Sequence, residues 1–140
     1  MKLFIDTWGW LALRDRREDL HEEAKTVYQE YRNKNASLYT SDYVLDETFT
    51  LLFKRLSKSL AQDSIDQIHR TIETNSLTLG WINKKEFNHA KRLREKFQDK
   101  PDISFTDLTS MAIMEEYSIK KILTSDDHFS HVGKGFEVLP

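Results

Sequence analysis

Four acidic residues far apart in this 140-residue chain, Asp6, Glu47, Asp107 and Asp126, have the types and positions to do chemistry together. Asp6 follows the apolar run Leu3-Phe4-Ile5, where a strand buried on both faces would stop, and has the hydroxyl of Thr7 beside it. In open parallel sheets, ligands bind outside the carboxyl ends of the strands. Glu47 falls in the first turns of the helix after the second strand. Asp107 lies in the first turn of a helix leading to the fourth strand, and Asp126 lies just past that strand's end. All four therefore fall on one sheet edge. Helix N-termini tolerate anions there, yet gathered carboxylates repel one another, and a divalent cation relieves the repulsion. With no cysteine, the chain can form no disulfide, thiolate zinc site or cysteine nucleophile, and any metal takes oxygen or imidazole ligands. All-oxygen ligation points to Mg²⁺ or Mn²⁺.

Each acid also has a purely structural reading. Asp is a favoured N-cap, so Asp6 suits the helix begun by Trp8, Trp10, Leu11 and Leu13. Ser104-Phe105-Thr106-Asp107 forms a capping-box pattern. Glu47 lies nearly opposite the Leu45–Leu60 stripe on a helical wheel, beside Val44 and Leu51. An exposed surface glutamate fits that place too, and Asp46 competes for the role. Asp126 and Asp127 both suit a cap for a turn over Phe129–His131. Four acids on one edge are harder to obtain by accident than any one of them.

The elements that must position these acids alternate between strand and helix. Leu20–Arg32 carries Leu20, Ala24, Val27, Tyr28 and Tyr31 at helical spacing, and Asn33–Asn35 is a turn. Ser37–Thr40 is a short strand, followed by a helix starting near Ser41 or Asp42. Its stripe of Leu45, Phe49, Leu52, Phe53, Leu56 and Leu60 is the most regular in the sequence. A further amphipathic helix covers Ala61 to Thr74. Ser76–Ile82 alternates like a strand, with Leu77, Leu79 and Trp81 on one face. Asn83 and Glu86 form a capping box opening a helix through Phe97. After a linker at Gln98–Ile103, Ser104 begins a helix to Tyr117; Ile119–Thr124 and Phe136–Leu139 are the last strands. This pattern predicts a three-layer α/β/α domain with a central parallel sheet and right-handed crossovers.

There is no repeat or low-complexity segment, and the whole chain, 1–140, reads as a single domain. At 39% hydrophobic and 31% charged residues, the composition is that of an ordinary globular protein. The amino terminus resembles neither a signal peptide nor a membrane span, so no membrane partner and a cytoplasmic location are expected. A net charge of −2 leaves open how acids and bases are segregated on the surface.

FIDTWGW at the amino terminus, YVLDETFTLL around Glu47, ISFTDLTSMAI around Asp107 and ILTSDDHF around Asp126 resemble, in order and spacing, a PIN-domain ribonuclease of the VapC-like toxin type. The resemblance covers essentially the whole chain. It implies a sheet of five parallel strands, an acidic quartet of Asp6, Glu47, Asp107 and Asp126, and Mg²⁺-dependent cleavage of RNA. The adjacency of Asp126 and Asp127 leaves the fourth acid open by one position, and Phe129 fits the aromatic that closes this motif. Hydrolysis of a phosphodiester requires an activated water in line with phosphorus and stabilisation of the developing charge. For that chemistry Asp6 and Asp107 are assigned as direct metal ligands, with Glu47 and Asp126 completing the shell or orienting water. Thr7, Ser104, Thr106 and Ser125 are short hydroxyls suited to support. His128 and His131 suggest general acid–base work, but as two loop histidines they read more readily as surface residues.

Lys54, Arg55 and Lys58 on the Glu47 helix, and Lys84, Lys85, Lys91, Arg92, Arg94 and Lys96 on a later one, are placed to follow a phosphate backbone or simply to face solvent. The resemblance further implies an antitoxin docked in an apolar groove and a homodimer. A phosphotransfer domain with a nucleophilic strand-end aspartate is disfavoured, because the second acid such enzymes need two residues on is Trp8 here. A non-catalytic RNA- or protein-binding module on the same scaffold is the alternative.

Overall fold

Leu3, Phe4 and Ile5 are wholly buried, as a strand covered on both faces requires. In the computed structural model, which describes residues 1–140, they belong to β1 (Lys2–Ile5). There follow α1 (Thr7–Arg14), α2 (His21–Asn33), β2 (Ser37–Ser41), α3 (Asp42–Arg55), α4 (Lys58–Glu73) and β3 (Thr78–Gly80). The second half runs α5 (Lys84–Lys96), α6 (Phe105–Glu116), β4 (Lys121–Leu123), a 3₁₀ turn (Asp127–His131) and β5 (Glu137–Leu139). One five-stranded sheet has the order β3-β2-β1-β4-β5, with every neighbouring pair parallel. The chain winds outward from β1 to β3 and then returns to β4. Right-handed crossovers accordingly place α1–α4 on one face and α5 and α6 on the other. The direction reverses between β1 and β4, and there the connections diverge to leave a crevice at the carboxyl ends. No helix is long and apolar enough to cross a membrane.

Three helices that lead into strands stop in the same way. Asn35, Asn75 and Ser118 follow α2, α4 and α6 with φ of 54°, 61° and 56°. The next N–H reaches back five residues each time: Ala36 to Tyr31 O, Ser76 to Thr71 O and Ile119 to Met114 O, at 3.0, 3.0 and 2.8 Å. This is the Schellman stop, which satisfies carbonyls at a helix end but needs a residue that accepts a left-handed backbone. Asn tolerates that conformation better than Ser.

Three elements depart from the sequence reading, the simplest being the strand expected over Ile119–Thr124, which is limited to Lys121–Leu123. The stripe from Leu45 to Leu60 spans two helices, because α3 ends at Arg55 and Ser57 caps α4, its Oγ accepting from the Leu60 N–H at 3.2 Å. The two helices still share one small cluster, in which Leu52 and Ala61 pack with Leu11, whereas Leu60, the stripe's last member, faces outward, 55% exposed. The strand expected over Ser76–Ile82 is limited to Thr78–Gly80. Beyond it the Asp42 carboxylate accepts the Ile82 N–H at 2.9 Å, and Trp81 turns outward, 59% exposed.

Helix α1 lies against the end of β4 at Gly9, where a Cβ would meet the Leu123 carbonyl oxygen at 2.2 Å. Buried hydrogen bonds hold it in place: Trp10 Nε1 donates to Thr40 Oγ1 (3.2 Å), which donates to Ile5 O (2.9 Å). On the outer side Arg14 donates to Ser64, Gln67 and Asp63 of α4 at 2.8, 3.0 and 3.2 Å. Gly9→Ala is expected to lower stability in urea unfolding by about 1–3 kcal/mol, the cost of overpacking a close-packed site. Ser118→Gly should instead raise it by about 1 kcal/mol by removing the left-handed strain; a loss would show that the Ser118 side chain contributes more than its backbone costs.

Candidate metal centre

Pairing between β1 and β4 continues one residue beyond the strands, with the Asp6 N–H donating to Leu123 O at 3.2 Å. Asp6 and Thr124 thus end side by side at the crevice. Thr124 Oγ1 donates to Asp6 Oδ2 at 2.9 Å and accepts the Asp126 N–H at 3.0 Å. Asp126 caps the 3₁₀ turn, its Oδ1 accepting the His128 N–H at 2.9 Å. Phe129 is wholly buried, packed edge-on against Phe136, and pins that turn to the core. From the other face, α6 brings Asp107. The Asp107 N–H donates to Ser104 Oγ at 3.0 Å, and Asp107 Oδ2 accepts the Ser104 N–H at 3.2 Å. This capping box orients the Asp107 carboxylate without removing it from the crevice.

The ligand atoms of Asp107, Asp126 and His128 all lie within 4.8 Å of one another. His128 Nδ1 is 3.4 Å from Asp107 Oδ2 and 3.2 Å from Asp126 Oδ2. Asp6 lies behind them, 1% exposed. Although it occupies the N-cap position of α1, its carboxylate makes no capping hydrogen bond and turns to Thr124. Burial raises the Asp6 pKa to about 7, with Asp107 and then Asp126 adding to the rise and the Thr124 hydrogen bond opposing it. Asp107 is raised for the same reasons, burial first and the Asp126 charge second, against hydrogen bonds from His128 and Ser104. No lysine or arginine pairs with any of these acids. Hard oxygens with uncompensated charge, held by short backbone bonds, fit a divalent cation.

Asp127 turns away, its side chain 81% exposed and 3.4 Å from His131. Glu47 is half-buried on α3, while Asp46 is exposed. The Thr7 hydroxyl donates to Val44 O (3.4 Å), holding the first turn of α3 near Asp6, yet Glu47 makes no hydrogen bond or ion pair and stands outside the group of three. Two participants escape a reading by residue type. Thr124, not the exposed Ser125, supports Asp6, and only the β1–β4 register reveals it. His128 is a member of the group and not a plain loop residue; its signal is the two-residue spacing from Asp126, which closes the turn between them. Among the cations, Arg55 pairs with Asp15 and Glu18 and covers the Trp8 ring, and Arg94 donates to Ile103, Phe97 and Lys100 carbonyls. Both are structural.

The Asp6 pKa fixes a pH dependence. A carboxylate at about 7 in the folded state and near 3.9 unfolded makes the folded state hold more protons between those values. Metal-free stability therefore falls as pH rises through that window. In EDTA, wild type is expected to lose about 2–3 kcal/mol between pH 5 and 8 relative to Asp6→Asn, by urea unfolding. Parallel profiles for the two proteins would refute it.

The PIN domain family profile matches residues 3–135. Over 136 residues the chain is 27% identical to the 23S rRNA-specific endonuclease VapC20 of Mycobacterium tuberculosis, strains CDC 1551 / Oshkosh and H37Rv, covering 94% of each chain. The crystal structure of M. tuberculosis VapC20, described as a sarcin-ricin loop cleaving toxin, superposes with a TM-score of 0.78 at 26% identity, over 94% of this chain and 95% of that one. VapBC2 from Rickettsia felis, bound to a promoter DNA fragment, shares the fold at a TM-score of 0.72 and 16% identity, covering 99% and 97%. With the family profile matching nearly its whole length, the chain belongs to the PIN domain family.

Proposed function

We propose that this protein is a metal-dependent endoribonuclease, the toxin of a toxin–antitoxin pair, with residues 1–140 forming one catalytic domain. The observation that carries the reading is the convergence of Asp107, Asp126 and His128 in front of the buried Asp6, with no lysine or arginine to neutralise the acids. A bound Mg²⁺ or Mn²⁺ would supply an activated water and offset the charge that develops on a phosphodiester. Asp6 and Asp107 would hold the cation, with Asp126 beside them. Glu47, which has no hydrogen-bond or ion-pair partner, would orient the attacking water. Thr124 keeps Asp6 from rotating, and the Ser104 cap does the same for Asp107.

Support for RNA as substrate comes from the similarity to VapC20, named for 23S rRNA. Lys54, Lys58, Lys84, Lys91 and Arg92 are exposed and available to phosphates. An antitoxin partner is supported by fold neighbours solved as VapBC complexes. Apolar surface for it and for a homodimer is present at Phe53, Leu60, Trp81 and Phe87, exposed by 44, 55, 59 and 44%. The proposed place of action is the cytoplasm.

Purified protein is expected to cleave RNA with Mg²⁺ or Mn²⁺ and to stop in EDTA. Asp6→Asn and Asp107→Asn should each cost about 100-fold or more in rate while folding normally, the scale of a lost metal ligand. Asp126→Ala should cost about tenfold more than Asp127→Ala, read from single-turnover cleavage. Metal-independent RNA binding without cleavage would favour the binding-module reading instead.

A further inference from the structure

His128 is positioned more tightly than a surface histidine needs to be. Its backbone N–H is bound by Asp126 Oδ1, and its Nδ1 lies 3.2 and 3.4 Å from the Oδ2 atoms of Asp126 and Asp107. The turn does not need that imidazole. It is closed by the His128 N–H, by Ser130 Oγ donating to Asp127 O at 2.7 Å, and by the buried Phe129 ring. His131, three residues on, shows the contrasting case of a histidine 63% exposed beside an exposed aspartate. His128 Nε2 has no protein partner and is free to carry the ring hydrogen, in which case Nδ1, otherwise a donor to Asp107 Oδ2 at 3.4 Å, would offer its lone pair to a cation lying between it and the carboxylates. Cis ligands on an octahedral cation with bonds of about 2.1 Å are separated by about 3 Å. The two Nδ1–Oδ2 separations are close to such edges.

We propose that His128 Nδ1 is a direct ligand of the cation, making the centre a mixed oxygen and nitrogen site that favours a first-row transition ion over Mg²⁺. The proposal rests on the metal-dependent reading of the same crevice. Its physical basis is ligand softness. An imidazole strengthens binding of transition ions, whereas Mg²⁺ keeps oxygen ligands and several of its waters. The all-oxygen set expected from the four acids is thereby replaced by one in which Glu47 is not a direct ligand.

Mn²⁺ is the probe. Its binding is read from the free-ion paramagnetic signal, Mg²⁺ binding from competition, and nitrogen ligation from ¹⁴N modulation in pulsed spectra. Wild type should show ¹⁴N coupling to bound Mn²⁺. His128→Ala and His128→Asn should lose it and weaken Mn²⁺ by about tenfold or more, with Mg²⁺ weakened by less than about threefold. Asp127→Ala should change neither ion. Melting curves in EDTA establish which variants are folded, and either one suffices. The proposal is overturned if wild-type Mn²⁺ shows no nitrogen coupling, or if a folded His128 variant binds Mn²⁺ as wild type does. When Asp107→Asn abolishes binding but the His128 variants do not, the metal centre stands and only the histidine ligand falls. When wild type binds no Mn²⁺ at millimolar concentration, both fall.

Discussion

Taking the Asp6 carboxylate out of water, with Asp107 and Asp126 nearby and no guanidinium or ammonium to answer them, is the constraint around which the other parts are arranged. A lone buried carboxylate would drift or protonate, and this one is held on three sides. The β1–β4 ladder fixes its backbone, Thr124 fixes its oxygen, and the Gly9 approach seats α1 directly behind it. Asp107 arrives from the opposite layer already fixed by its own cap. The strain lies in the charges and not in the chain, so a cation relieves it without any element having to move.

The sequence conveys the fold well because its signals are local and agree with one another. The apolar run ending in Asp6, the capping boxes at Asn83 and Ser104, and the turn at Asn33–Asn35 each specify a boundary that the structure keeps. The α3–α4 break is hidden because apolar periodicity records which patch a residue covers, and two helices here cover the same one. Trp81 is misleading for a related reason: its alternation with Leu77 and Leu79 fits a strand, but Asp42 draws the backbone away. At the site, the positions of Asp6 and Asp107 follow from element order. Thr124 depends on register, which spacing along the chain does not encode, and His128 on a short turn whose trace in the sequence is its two-residue spacing from Asp126.

Charge is the least transferable part of the reading. Arg55 and Arg94 look like members of basic runs, yet one is bound to the α1–α2 connection and the other knits the loop ahead of α6. Asp15 shows why: it is buried, and its pKa is held below the ordinary carboxylate value chiefly by the Arg17 hydrogen bond, with Arg55 adding charge. Arginine, with several donors in a fixed fork, is the cation suited to such structural work. Lys54, Lys58, Lys84 and Lys91 are left to the surface, where a phosphate backbone would meet flexible point charges.

The two sides of the crevice differ in how they are built into the molecule. Asp107 rides on α6, in which every residue from Asp107 to Met114 is buried, whereas Asp126 and His128 ride on a five-residue 3₁₀ turn anchored by a single deeply buried ring. Local opening follows burial, so α6 amides belong to the slowest-exchanging class and those of the turn to a much faster one. An ion held from both sides would couple them and lend the turn the permanence of the core. Occupancy would then be visible as a slowing of amide exchange confined to a few residues around Asp126, on a fold that otherwise keeps its shape.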